Sequence, residues 1–571
     1  MTMKSAIANF VKTEILTTRR LIFNVLWYGS HLGVFAYGWQ SQANNARLAG
    51  LNTLKYSVWS SRGAGLVLAY DGLLILVPML RNVIRVVRPK MMWMFPADEN
   101  IWFHRQVAYQ LAFWAMVHTT AHYVNFINVE RRQIRPQTAL QIHYTQPGGI
   151  TGHVMLLIMV LMYSTTHHKI RAQCFEAFWY THHLAFFFML GLYTHATGCF
   201  VRDSANPDFK STFPFYSTAH CLGYESWRFT VWPGLLYFGE RVYREIRARR
   251  ETELTKVLVH PSGTMELRMK KPSFKYTAGQ WLFIQIPDVS KYQWHPFTIT
   301  SAPEDPYVSV HIRQVGDWTK ALGDRLGAGP DVVAALTKAA MGASYKDDKS
   351  DMYGSRGEFV EISSKNPSLV EGKSLLPRVR IDGPYGAPAE DVFKSEVAIL
   401  VGAGIGVTPF SSILKHIWYQ QKRGKLGALK HVEFIWICRD APSFGWFQTL
   451  LQEVEEAQVD PNFLRMSIYL TQKLGEDMLW NIAVNDARAE FDPLTLLRTR
   501  TLYGRPDWKS IYNKLRMAIE SGLYPPGQEA SLRTTVGTYF CGPGGLAKAI
   551  RTEALAASSS TVKFTFTKEH F

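Results

Sequence analysis

Residues 180–195, "YTHHLAFFFMLGLYTH", place His182, His183 and His195 in a run apolar enough for a membrane. A second apolar run, "FHRQVAYQLAFWAMVHTTAHYVNF", carries His104, His118 and His122. Ionisable side chains are costly at bilayer depth, so those found there usually face a partner or a prosthetic group. At ~1.5 Å rise per residue, His104 and His118 lie ~21 Å apart along a helix, and His182 and His195 ~19.5 Å. Two such helices side by side would set one histidine pair near each membrane surface.

Paired imidazoles from two helices are what a haem iron needs for two axial ligands, and without a CxxCH motif the haem would be noncovalent and b-type. Zinc would ask for four ligands at one point, which two layers do not offer. Helical phase adds a condition. Fourteen positions return to within ~40° of the starting face, but thirteen leave His182 and His195 ~140° apart, so their helix must kink or bulge, or the two ligand faces differ. His122 fits the depth match less well than His118 and is read as a polar residue near the outer pair. For His31, His122, His153 and His183 an ordinary hydrogen bond to a neighbouring helix is the better reading.

The elements that position these groups follow from length and hydropathy. A chain of 571 residues suggests two or three domains. Six apolar stretches approach the ~20 residues of a membrane span: 21–40, 62–80, 103–126, 150–166, 175–198 and 229–243. With the N-terminus inside, the inner connecting segments hold 15 Lys or Arg and the outer ones 8, which favours both termini being cytosolic. The net charge of +17 is explained by basic segments beside anionic membrane lipid, and no nucleic-acid-binding motif accompanies it. Cys199 and Cys221 share the last outer loop, where a disulfide and two free thiols are equally compatible with the sequence.

The rest of the chain reads as soluble. Residues 251–390 alternate in strand fashion, as in "GQWLFIQIP" and "YVSVHIRQV", and suggest an antiparallel β-barrel. Within it "WHPFTITSAP" would grip a flavin through its fixed backbone and hydroxyls, and Arg313 of "HIRQVGDWT" would neutralise a pyrophosphate. Residues 391–571 suggest an α/β domain. There "VAILVGAGIGVTPF" runs from a strand through Gly402, Gly404 and Gly406 into a helix, a loop suited to phosphate. Strand ends at Cys438–Arg439 and Cys541 would meet the same nucleotide, with Arg439 or Arg505 on a 2′-phosphate; an ordinary surface arginine is the alternative for either.

Taken in order, "FHRQVAYQ", "FWYTHH", "WHPFTITSAP", "HIRQVGDWT", "VGAGIGVTPF", "WICRD", "LYGRPDW", "CGP" and the terminal "KEHF" resemble the NADPH oxidase family over nearly the whole chain. The resemblance implies a six-helix ferric-reductase-type membrane domain (1–246) with two b-type haems. A ferredoxin-reductase-like FAD barrel (251–390) and an NADPH-binding α/β domain (391–571) would follow it. It assigns His104 with His182 to the inner haem, His118 with His195 to the outer, Phe188 to the space between, and Arg62 and His122 to the place where O2 is reduced. FAD would take His295, Pro296, Phe297, Thr298, Thr300, Ser301, His311, Arg313, Trp318 and Thr319. NADPH would take Gly402, Gly404, Gly406, Thr408, Pro409, Cys438, Arg439, Arg505, Cys541, Gly542 and Pro543, with Phe571 stacked on the flavin.

Electrons from NADPH would then cross to O2 and make superoxide in the plasma membrane or an endomembrane. A ferric or cupric chelate reductase of the same architecture is the alternative. The resemblance also implies control by cytosolic activators including a small GTPase, and by a small membrane subunit, since no EF-hand loop is found. Residues 327–377 form a longer linker than expected for the family and read as a tolerated insertion or a regulatory loop.

Overall fold

The computed structural model describes residues 18–91, 99–133, 136–145, 147–195, 227–343, 360–363, 376–439, 444–456, 497–524 and 533–569, with short pieces between 460 and 495. Cys199, Cys221 and Phe571 lie outside the described residues. The chain divides into two units, Met1–Tyr243 and Arg244–Phe571.

The first unit is helical. Its principal helices are α1 (Thr18–Ala43), α2 (Tyr56–Leu74), α3 (Arg81–Met91), α4 (Asn100–Arg131), α5 (Ala139–Thr145), α6 (Pro147–Thr165), α7 (Phe175–His182), α8 (Ala185–His195) and the start of α9 (Trp227–Arg249). Among the described residues, Tyr56–Met79 and Gly148–Thr165 are long and apolar enough to cross a membrane by length and composition alone. The other four expected stretches fall on α1, α4, α7 with α8, and α9, where polar, aromatic and histidine positions dilute the apolar run. Large side chains such as Leu32, Leu157, Phe186 and Phe238 point outward, as on a surface that lipid covers.

Two local breaks matter for the histidines. Between α7 and α8 the N–H groups of His183 and Leu184 reach back three residues, to Tyr180 and Thr181, and the helix is interrupted there. An interruption there is one of the two ways to accommodate the thirteen-residue spacing. At the end of α2, Pro78 tightens the chain: Met79 N–H bonds the Leu76 carbonyl, which leaves the Ile75 carbonyl available to a side chain.

The second unit begins with two antiparallel sheets. Strands β1 (Glu253–Val259), β2 (Thr264–Lys270), β5 (Val308–Arg313) and β6 (Val360–Ser363) form one in the order β5-β2-β1-β6. Strands β3 (Trp281–Gln285), β4 (His295–Thr298) and β7 (Arg380–Tyr385) form the other in the order β4-β3-β7. The chain beyond β4 joins them, since Ile299 bridges Val310 and Thr300 N–H bonds the Ser309 carbonyl. Helices α10 (Asp317–Arg325) and α11 (Pro330–Ala343) follow β5. Residues 327–377 supply α11 and β6, and β6 pairs with β1 from Lys256 to Val259. Composition hid this, because one short strand leaves little pattern in a polar stretch.

The remainder is a fully parallel sheet of β8 (Val397–Ala403), β9 (His431–Cys438), β10 (Leu464–Leu470), β11 (Thr501–Tyr503), β12 (Thr534–Cys541) and β13 (Val562–Lys568), in the order β11-β10-β9-β8-β12-β13. Helices α12 (Thr408–Lys422), α13 (Gly445–Glu456), α14 (Trp508–Glu520) and α15 (Gly544–Ala556) accompany it. Apolar strands such as "VAILV" are buried on both faces, as a covered parallel sheet requires.

One face of α12 carries the contact between sheet and barrel. Ser411 and Ser412 donate to the Thr300 and Ser301 carbonyls at 3.1 and 2.6 Å. Lys415 pairs with Asp305 at 2.9 Å and His416 with Glu304 at 2.8 Å. One turn further, Tyr419 and Gln420 bond the same two carboxylates. The spacing of these positions is that of one helical stripe.

Candidate functional site

In the helical unit the ring centres of His104 and His182 lie 6.2 Å apart, and those of His118 and His195 lie 6.4 Å apart. An iron between two imidazole nitrogens at about 2.0 Å each, with about 1.15 Å from nitrogen to ring centre, spaces the rings by about 6.3 Å. Both pairs fit that spacing.

The remaining ring nitrogens are largely occupied. His104 Nδ1 donates to the Ile75 carbonyl at 2.9 Å and His118 Nδ1 to the Ser61 carbonyl at 2.8 Å. His195 Nδ1 shares a 2.8 Å hydrogen bond with the Thr151 hydroxyl. Anchoring Nδ1 fixes the ring and leaves Nε2 as the basic nitrogen, the arrangement of a metal-ligating histidine. The fourth ring, His182, has its Nδ1 buried without a hydrogen-bond partner in the structure.

Glycines shape the same places. A Cβ on Gly65 would stand 3.2 Å from His118 Cε1, and one on Gly152 would stand 3.2 Å from His195 Cε1. Glycine is unfavourable inside a helix, so two of them against two of these histidine rings mark close approach. Neither glycine, nor the anchors Ser61, Ile75 and Thr151, is apparent from the histidine spacing; glycine within an apolar helix was the available signal.

Arg62 follows Ser61 in α2, and His122 packs against His118 at 4.5 Å between ring centres. Phe188 is half-buried on α8. The histidines read as ordinary hydrogen-bonding residues include His153, bonded to the Tyr123 hydroxyl at 2.7 Å, and His183, whose Nδ1 donates to the Trp179 carbonyl at 2.6 Å.

In the barrel, the flavin motif separates into two sets. His295, Pro296 and Phe297 keep accessible surface, and Arg313 is exposed at the end of β5. By contrast Thr298, Thr300 and Ser301 are buried. Thr300 Oγ1 bonds Ser309 Oγ at 2.9 Å and His311 Nδ1 at 2.8 Å, while Ser301 Oγ accepts the Ser309 N–H at 2.9 Å. Trp318 stacks on His295 at 4.2 Å, and Thr319 Oγ1 accepts the N–H groups of Val315 and Gly316 at the start of α10. These residues therefore build the support of His295 and Arg313.

His260, Glu266 and His311 bring their ligand atoms within 4.8 Å of one another. Arg268 takes both Glu266 oxygens at 2.9 Å, so the carboxylate is already engaged in an ion pair. Burial pushes His260 down to about 4 and His311 down to about 3, which keeps both rings neutral.

In the parallel sheet the motif ends align on one edge. Cys541 pairs in register with Gly402, Ala403 with Ile437, and Cys438 with Leu470, which pairs with Tyr503. Arg439 and Arg505 follow these ends and are exposed. Strand order reverses direction between β8 and β12, and in open parallel sheets ligands sit beyond the strand ends at such a point. The two loops there are in contact: a Cβ on Gly406 would lie 2.5 Å from the Cys541 carbonyl. Gly404, with φ +58°, turns through the left-handed region and has open space where a Cβ would be. Thr408 and Pro409 open α12 and are buried; Gly542 and Pro543 lead into α15. Both thiols are buried, and burial pushes the Cys541 thiol well above its ordinary range.

Residues 64–193 match the family described as ferric reductase like transmembrane component, 249–389 an FAD-binding domain, and 395–555 the ferric reductase NAD binding domain. A superoxide-generating NADPH oxidase heavy chain of Dictyostelium discoideum is 34% identical, over 97% of this chain and 96% of its own. NADPH oxidase 1 of Mus musculus is 31% identical, over 96% of this chain and 93% of its own. A ferredoxin NADP+ reductase from Neisseria gonorrhoeae overlays 55% of this chain and 98% of its own at 13% identity, with a TM-score of 0.29, too low to bear on the argument. Relatives this similar across nearly their full length show that the chain belongs to the NADPH oxidase family.

Proposed function

We propose that the protein is an integral membrane oxidase that takes electrons from NADPH on the cytosolic side and delivers them to O2 on the other, releasing superoxide. The balance is one NADPH and two O2 giving NADP+, one proton and two superoxide ions. The observation that carries the reading is the pair of histidine spacings, 6.2 and 6.4 Å, on helices whose other ring nitrogens are mostly anchored.

His104 with His182 would hold an inner b-type haem, and His118 with His195 an outer one. His295, Pro296, Phe297 and Arg313 would hold FAD, with Phe571 against its ring. Thr298, Thr300, Ser301, His311, Trp318 and Thr319 fix that strand and helix end in place. When bound, FAD supplies the conversion of a two-electron hydride into single electrons, which haem iron carries one at a time.

The chain's own residues supply the rest. The loop through Gly402, Gly404 and Gly406, opening α12 at Thr408 and Pro409, offers backbone N–H groups and a helix N-terminus to phosphate. Arg439 beyond β9 and Arg505 beyond β11, on either side of β10, favour a 2′-phosphate and hence NADPH over NADH. Cys438, Cys541, Gly542 and Pro543 complete the crevice. The stripe on α12 keeps this crevice and the flavin strand in one fixed relation, which hydride transfer needs. In the membrane Phe188 fills space between the two layers. Arg62 and His122, beside the outer pair, offer positive charge and a proton donor to an oxygen anion.

The test is the visible spectrum of detergent-purified protein before and after anaerobic NADPH, with haem counted per chain. Two low-spin haems reduced by NADPH support the reading; their absence overturns it. Superoxide formation that persists when a ferric chelate is omitted separates the oxidase from a metal reductase.

A further inference from the structure

His31 and Asp71 are buried ionisable residues with no role in the reaction as described. They are 1% and 0% exposed, and His31 Nε2 lies 2.9 Å from Asp71 Oδ1. His31 Nδ1 donates to the Trp27 carbonyl at 2.6 Å, one turn earlier in α1. The pair therefore ties α1 to α2 inside an apolar bundle. A charged or proton-sharing pair at that depth is costly to bury, and a buried pair is weak evidence of stabilisation in itself.

Two routes lead from the pair to His104. Along α2, the Asp71 carbonyl accepts the Ile75 N–H at 2.8 Å, and the Ile75 carbonyl accepts His104 Nδ1–H at 2.9 Å. Along α1, Trp27 packs edge-on against Phe103 at 5.2 Å between ring centres, and Phe103 is the residue before His104. Trp27 is also the residue whose carbonyl His31 holds, so both routes begin at the same hydrogen-bonded pair.

We infer that His31 and Asp71 are positioning residues for the inner histidine pair: they lock the register of α1 and α2, and so set the ring of His104 through Ile75 and Phe103. The inference rests on the proposed haem ligation. The outer pair has a different support, through the Ser61 carbonyl and, beside it, Asn125 bonded to Ser61 Oγ at 3.3 Å. Disturbing Asp71 should therefore act on one haem and not the other.

The experiment uses the full-length protein in detergent and does not depend on turnover. Redox titration followed by visible and low-temperature EPR spectra resolves the two haems, the inner one identified by its loss in His182→Leu. Asp71→Ala is expected to change the oxidised-to-reduced ratio of the inner haem at a fixed poise by a few-fold, less than the roughly 10–100-fold in affinity or activity that follows loss of a group bonded directly to a ligating histidine. The outer haem should not move. Asp71→Asn, whose amide can exchange a hydrogen bond with His31 Nε2, should stay close to wild type. Asn125→Ala should move the outer haem instead. If Asp71→Ala does not accumulate with haem, Asp71→Ser removes the same contact and reads the same quantity. An inner haem unchanged in a wild-type-like, two-haem protein overturns the inference alone, as does an equal change at both haems. A wild-type protein without haem overturns the proposed function and this inference with it.

Discussion

Asp382 offers the sharpest energetic test in the second unit. Its carboxylate, 2% exposed, takes Arg244 Nε at 2.7 Å, Arg247 Nε at 2.9 Å and Arg247 Nη2 at 2.5 Å, and also the Tyr385 hydroxyl. Lys271 adds a third cation nearby, donating to the carbonyls of Arg247, Arg250 and Ile381 at 3.2, 3.3 and 3.1 Å. Breaking a buried ion pair by removing one partner costs roughly 3–5 kcal/mol. Asp382→Asn strands two guanidiniums that are 10% and 14% exposed, so the cost should be about 4 kcal/mol. The assay is denaturant unfolding of the FAD-loaded, full-length protein, followed by flavin fluorescence. The triple variant Arg244→Met, Arg247→Met, Asp382→Leu should be milder, within about 1–2 kcal/mol of wild type, because neither guanidinium is left buried alone and Lys271 keeps its three carbonyl acceptors. Burial alone would raise the Asp382 pKa, but Arg244 and Arg247 hold it below the ordinary carboxylate range. Its contribution is present above the unfolded pKa of about 3.9 and lost only as pH falls through the lower folded value, so the Asn penalty should be constant from about pH 5 to 8. A cost under about 1 kcal/mol for Asp382→Asn, or a triple variant as damaged as the single one, would refute the reasoning.

Gly65→Ala should displace the His118 ring, since the new Cβ would meet Cε1 at 3.2 Å, and haem per chain should fall from two towards one on quantification. Gly406→Ala would drive a Cβ to 2.5 Å from the Cys541 carbonyl, a backbone atom that cannot swing away. NADPH-driven flavin reduction should drop at least tenfold while bound FAD is retained, as read by absorbance and stopped-flow bleaching. Acid should weaken the barrel early: burial holds His260 and His295 down to about 4 in the fold. A depressed histidine pKa gives stability that is complete above the unfolded value near 6.5 and is lost as pH falls towards the folded one. For His260 that loss is about 2 kcal/mol by pH 5, measurable as a lower denaturant midpoint that His260→Asn should partly restore.

Much of the candidate site was legible because the chemistry proposed for it needs particular residue types at particular intervals. Histidines about fourteen residues apart in two apolar runs define two depths without any tertiary knowledge. The thirteen-residue interval asks for a kink or a change of face, and the helix is interrupted at His183 and Leu184. Glycines after an apolar strand mark a phosphate loop for the same reason, because the backbone must turn and approach closely. Less legible was the division of labour inside "WHPFTITSAP". Alternation suggests which side chains share a face, but only the packed barrel decides that Thr300 and Ser301 spend their hydroxyls on Ser309 and His311.

The sequence by itself determined the class of protein, the order of its domains and the candidate ligands, since hydropathy and motif spacing are properties of the chain alone. Tertiary structure decided the supports. Ser61, Ile75 and Thr151 anchor histidine rings through a carbonyl or a hydroxyl that any similar helix also carries, and Asp382 gains its meaning only when Arg244 and Arg247 arrive from 138 and 135 residues away. Such pairings have no local signature. They depend on which surfaces the fold brings within hydrogen-bond distance, and a strand such as Val360–Ser363 joins its sheet for the same reason, by finding the free edge of β1.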